Sequence, residues 1–224
     1  PTAHNYLRVV GAQLWENSPL LLLASLVFTL LCAPAVALFL AGLLSMAIVV
    51  AALTIPPAWA ALLALEASIA RGARTSISVM LKAWPRYWAP SVLLGLPAAV
   101  LALIALHTLP LLSVPEAAGL AWPGLFADAS LGAILAAVYA YAFPLLVSYD
   151  LALLALLRNA AALASRHISN TLGLLGTGIL FAMAVGYWLS GLMFLLPTVW
   201  GVLAVNNCWM VVAGAPLAPD GPGG

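Results

Sequence analysis

Two carboxylates stand out because so few charges surround them. Among 224 residues, seven are basic and six acidic. Glu66 lies near the end of one apolar run with Arg71 within reach, and Asp150 near the end of another with Arg158 within reach. A charge at mid-bilayer costs about 2.5–3.5 kcal/mol on insertion scales, so an acid inside a span is a candidate for proton or substrate coupling. A turn or two from the span end and beside an arginine, the same residue anchors the helix at the interface. Anchoring is the expectation for both acids, coupling the alternative, and docking of a partner a third reading.

The remaining chemistry-bearing residues point away from catalysis. His4, His107 and His167 are expected on different sides of the membrane and do not form a metal set. Cys32 and Cys208 lie inside apolar runs, as buried thiols do, and two isolated cysteines make no metal or disulfide pattern. There is no P-loop, no H-E-x-x-H and no nucleophile elbow. Asn206 and Asn207 are the most deeply placed strong hydrogen-bonding side chains. They either line a polar path or bond across a helix interface, the commoner use of such amides. Gly178, Ala182, Gly186 and Ser190 recur every four residues, a stripe that permits close approach of a neighbouring helix. No enzyme activity, cofactor or metal is expected.

These residues need elements to hold them. Hydrophobic residues make up 66% of the chain and charged residues 6%, against about 45–50% and about 25% in soluble domains. A water-soluble fold of this size could not hide so much apolar surface, so lipid must be the solvent. The apolar runs are continuous rather than alternating, which calls for helices and not barrel strands. A net charge of +1 gives no reason to expect nucleic acid.

A span needs about 20 apolar residues, and polar punctuation divides the chain into six. The expected spans lie near 18–40, 42–68, 90–109, 130–155, 171–190 and 193–213. Residues 1–17 read as an interfacial amphipathic helix and 214–224 as a disordered Pro/Gly-rich tail. A Pro/Trp-bearing loop is expected over 107–129. Arg71, Arg74, Lys82 and Arg86 fall in one connector, and Arg158 and Arg166 in another, while the intervening loop carries Glu116 and Asp128. By the positive-inside rule the basic connectors face the cytoplasm. Six spans with both termini inside then put Arg8 on that side too. Both basic connectors are amphipathic, with Asn159, Arg166 and Asn170 on one arc of the second, opposite Leu157, Ala161, Ala164 and Ile168.

Three segments carry a family resemblance: FPLLVSYDLALLALLRNAAALASRHISNTLGLL (Phe143 to Leu175), TIPPAWAALLALEASIARG (Thr54 to Gly72) and LLPTVWGVLAVNN (Leu195 to Asn207). Together they resemble the YesL-like family of bacterial membrane proteins, with Pro144, Asp150, Arg158–Asn159 and Arg166–His167 at the positions of its hallmark segment. The resemblance implies a multi-span inner-membrane fold of unsettled function. Because members are often encoded beside carbohydrate permeases, it also implies an accessory role there. An internal echo aligns Lys82–Leu94 with Ala162–Leu174, superposing Arg86 on Arg166, as in a weak parallel repeat.

The sequence therefore leads to an all-α, six-span integral membrane protein of the bacterial cytoplasmic membrane. The expected role is a non-catalytic accessory or scaffold subunit, with membrane lipids and an ABC-type carbohydrate permease or other membrane complex as partners. The alternative is a small transporter or channel with Glu66 and Asp150 as coupling acids.

Overall fold

A computed structural model describes residues 3–73, 75–187 and 195–214. Among them the chain is helical throughout: α1 (Ala3–Glu16), α2 (Ser18–Leu40), α3 (Leu44–Ala70), α4 (Ile77–Thr108), a 3-10 turn (Leu109–Ser113), α5 (Pro115–Ser148), α6 (Leu153–Arg166), α7 (Ile168–Tyr187) and α8 (Leu196–Gly214). Five described segments, in α2, α3, α4, α5 and α8, are long and apolar enough to cross a membrane, and Ile168–Phe181 of α7 is a shorter apolar helix. The chain is thus an all-helical protein of membrane-compatible helices, with leucines such as Leu30, Leu40 and Leu154 fully or mostly exposed on its sides.

Two sharp turns organise the first half. After α2, Gly42 adopts φ +77°, and Leu43 N–H reaches back to the Leu38 carbonyl at 3.0 Å. After α3, Gly72 adopts φ +70°, and Ala73 N–H bonds the Ser68 carbonyl at 3.2 Å. Glycine is required at both, because the left-handed conformation is costly for residues with a Cβ. The resulting antiparallel sequence α2–α3–α4 puts α3 between its neighbours.

The second half of α3 is the centre of the bundle. Pro57, Ala58 and every residue from Ala60 to Ala67 are buried, so this stretch has no lipid or water face. A helix apolar all round belongs inside, and its run of alanines lets α2, α4, α5 and α8 come close. Gly95 of α4 is part of the same packing: a Cβ there would run into the Pro56 ring. Tyr141 of α5 is fully buried and its hydroxyl lies 3.1 Å from that of Thr171 on α7.

Several expected boundaries are corrected. The third span, expected over 90–109 after a separate interfacial segment, is one helix from Ile77 to Thr108 that takes Pro85, Pro90 and Pro97 in its stride. Ser78, Lys82 and Arg86 are four residues apart, so one helix carries them as a stripe and continues into its apolar part. The expected loop over 107–129 is instead the end of α4, the 3-10 turn and the first turns of α5. Pro115 opens α5, where its missing N–H costs nothing. The fourth span ends at Ser148 rather than 155, and α7 and α8 begin at Ile168 and Leu196. The two echoed stretches differ in local structure. Arg86 lies within the continuous α4, whereas Arg166 ends α6 at a break before α7.

The amphipathic α6 is present, but its faces are not as expected. Its buried side is Leu156, Asn159, Ala160, Leu163 and Ala164, while Ala161 and Ile168 are exposed. Asn159 has a partner within the protein, so its polarity does not turn it outward.

Candidate functional site

Three of the candidate residues, Glu66, Arg71 and Asp150, lie at one end of the bundle, where α3 and α5 finish and α4 begins. Glu66, one turn before the end of α3, is 1% exposed, and neither carboxylate oxygen has a hydrogen-bond partner among the described residues. Its carboxylate presses against Gly201 of α8: a Cβ on Gly201 would stand 2.7 Å from the carboxyl carbon. The expected pairing with Arg71 is absent. Residues five apart on a helix lie on different faces, and Arg71 caps α3 with its guanidinium over the Trp209 ring at 5.8 Å. An unpaired buried charge is among the costliest arrangements a protein interior can hold. Glu66 thus lacks the arginine pairing expected of an interfacial anchor.

Asp150 has the opposite setting. It sits in the break between α5 and α6, exposed, and lines a cavity of about 270 Å³ with Arg71, Arg86, Tyr87 and Tyr149. A second cavity of about 280 Å³ shares Arg71, Arg86, Tyr87 and Val147 with the first and adds Lys82. The two adjoin, forming one cleft with three cations and one acid. Arg158, the expected partner of Asp150, is exposed on α6 and does not line this space. Chain reversal at Tyr149–Ala152 separates them despite their closeness in sequence. Tyr149 lies outside the spans, and burial, with Cys208 nearby, pushes its phenol above its usual pKa. Arg166 is exposed at the end of α6.

The asparagines of α8 bond across helices. Asn206 donates to Gln13 of α1 and to the Val202 carbonyl, each at 2.9 Å. Asn207 accepts from Asn170 of α7 at 2.6 Å. Ser25 of α2 and Thr198 of α8 form a further hydroxyl pair. Neither Gln13 nor Asn170 stands out in the sequence as a partner. The signal available was that amides near the ends of adjacent helices face the same membrane depth.

The small-residue stripe is described only at its start. A Cβ on Gly178 would lie 3.0 Å from Nε1 of Trp200, whose indole donates to the Leu174 carbonyl at 3.2 Å. Gly178 thus lets a tryptophan of α8 lie across α7. For Ala182 and Gly186 only the backbone of α7 is described, and Ser190 lies outside the described residues. Cys32 and Cys208 are buried free thiols. Among the described residues no group of three His, Cys, Asp or Glu could hold a metal.

The class defined by these observations is an all-helical protein with several helices of membrane-crossing length. Comparison with family models, with curated proteins and with solved structures gives no match.

Proposed function

We propose that this chain is a non-catalytic, six-span protein of a bacterial cytoplasmic membrane, with both termini inside, acting as an accessory or scaffold subunit. The observation that carries this reading is how the bundle uses its polar side chains. Asn206, Asn207, Ser25 and Thr198 bond to one another or to Gln13 and Asn170 across helix interfaces. Such bonds hold helices in register. The resemblance to the YesL-like family supports a carbohydrate permease of the ABC type as the partner.

Purification of the full chain from native membranes in mild detergent, with mass spectrometry of co-purifying proteins, tests the role. A permease recovered in stoichiometric amount supports it, and recovery of the chain alone overturns it. Reporter fusions test the topology: those after Arg86 and Arg166 should read cytoplasmic and one after Glu116 external. A cytoplasmic signal at Glu116 overturns the arrangement.

A second reading, a small transporter with Glu66 as coupling acid, has one observation in its favour. Glu66 is buried with both oxygens unpartnered, as in a site that exchanges a proton or cation. Proteoliposomes discriminate the two: a proton or solute flux lost in Glu66→Gln supports transport, and absence of flux in the unaltered protein removes this reading.

A further inference from the structure

We propose that the cleft between α3, α4 and the end of α5 binds the phosphate of an anionic phospholipid, with the acyl chains along its apolar wall. Its cationic part is built from two helices: Arg71 at the end of α3, and Lys82 and Arg86 one turn apart on α4, with both arginines lining both cavities. Among the described residues none of these three cations is engaged in an ion pair. Arg71 lies over Trp209 and Arg86 over Tyr87, at 5.8 and 5.3 Å. These ring contacts hold the guanidiniums in place while leaving their N–H donors for a ligand. Asp150 is the single acid on the cleft, so positive charge dominates.

The wall beside the cations is apolar. Ala64, Val79, Ala83 and Val147 continue the same cavity, a surface without use to a free phosphate ion but suited to the first carbons of an acyl chain. Aromatic residues mark the depth. Trp84, Tyr87, Trp88, Tyr149 and Trp209 cluster at this end of α4, α5 and α8, and tryptophan and tyrosine concentrate at the headgroup level of a bilayer. Basic pockets between helices at that level recognise anionic headgroups. The inference rests on the chain lying in a bilayer and does not depend on any partner subunit.

Native mass spectrometry of the full chain in mild detergent, titrated with phosphatidylglycerol or phosphatidylcholine, tests it. Phosphatidylglycerol should bind and phosphatidylcholine should not. Arg71→Gln/Arg86→Gln should weaken binding roughly thirtyfold, each cation near the surface contributing comparably. Arg158→Gln/Arg166→Gln, on the separate α6, should leave it unchanged. Lys82→Gln, which removes an exposed side chain without a partner among the described residues, should weaken binding even where the double variant folds poorly. Excess inorganic phosphate should not displace the lipid. Equal binding of both lipids, or equal weakening by the α6 variant, overturns the proposal. Full displacement by inorganic phosphate also overturns it, and points to a soluble phosphate compound as the occupant.

Discussion

Glu66 and Asp150 lie near the same end of the bundle, yet the protein treats them in opposite ways. Glu66 stands inside a helix stretch enclosed on every side, and α8 closes over it with a glycine. Asp150 belongs to a break in the chain at the rim, in a cleft shared with arginines from other helices. The pair teaches that nearness to a helix end does not decide whether a membrane acid is wet. What decides it is on which side of the helix end the acid stands, since α5 is as enclosed over Ala140–Val147 as α3 is over Ala60–Ala67. An acid inside the enclosed turns is sealed, and one in the break beyond them meets whatever basic residues its neighbours bring.

The largest effect is expected where the sealed site is overfilled. Gly201→Ala places a methyl where the Glu66 carboxylate now lies. Overpacking of a full core costs about 1–3 kcal/mol, read as a lower melting temperature in detergent. Adding Glu66→Ala should recover much of the loss, because the two sites share one volume and their effects are then not additive. A single variant as stable as the parent, or a double variant no better than the single, breaks the claim that α8 is moulded to Glu66.

Gly178→Leu probes the neighbouring α7–α8 contact and should also lower the melting temperature, by an amount at or below that of Gly201→Ala. The new side chain meets the Trp200 indole, and displacing it also loses the bond to the Leu174 carbonyl. If the melting temperature rises instead, this face of α7 meets lipid, since leucine is a better helix former than glycine. Gly186→Leu, two turns on, shows how far the close approach runs along the stripe.

Glu66→Gln separates shape from charge. It keeps the side chain's volume against Gly201 and removes the unpaired acid. Stability should be unchanged or somewhat higher, since replacing a poorly satisfied buried charge is often neutral or favourable. On the proposed accessory role, associated uptake should be kept. A marked fall in stability would mean that the carboxylate has a partner the packing conceals.

The sequence was most informative where composition acts over long stretches. Continuous apolar runs announce lipid-facing helices, and α2 falls where they place it, at Ser18–Leu40. It misleads where polar residues and a Pro/Trp-bearing stretch suggest connectors. Pro115 starts a helix and Pro85, Pro90 and Pro97 ride inside one, because tertiary neighbours can compensate for a missing N–H. The acids were visible as exceptional residues, but their surroundings were not. Glu66 was paired with Arg71, and Asp150 with Arg158, by nearness in the chain. The true neighbours, Gly201 for Glu66 and the Arg71–Arg86 pair for Asp150, come from helices whose arrangement no local pattern encodes. Lys82 and Arg86 give a topology signal in the sequence, and only the fold shows that they share a cleft with Arg71.

The smallest stability effect is expected at Asp150, and its sign elsewhere sharpens the comparison. Asp150 is exposed and, among the described residues, has neither a hydrogen bond nor an ion pair. Asp150→Asn should therefore leave the melting temperature unchanged, as surface substitutions usually do. Removing the single acid from a cleft lined by Arg71, Lys82 and Arg86 should nevertheless raise affinity for phosphatidylglycerol, roughly fivefold for one charge near the surface. Glu66→Gln, sealed away from the cleft, should leave that affinity alone. If Asp150→Asn instead weakens lipid binding, the carboxylate is organising the arginines rather than opposing the ligand. The contrast between a sealed acid and an open one would then have to be redrawn as a contrast between an unpartnered acid and a structural one.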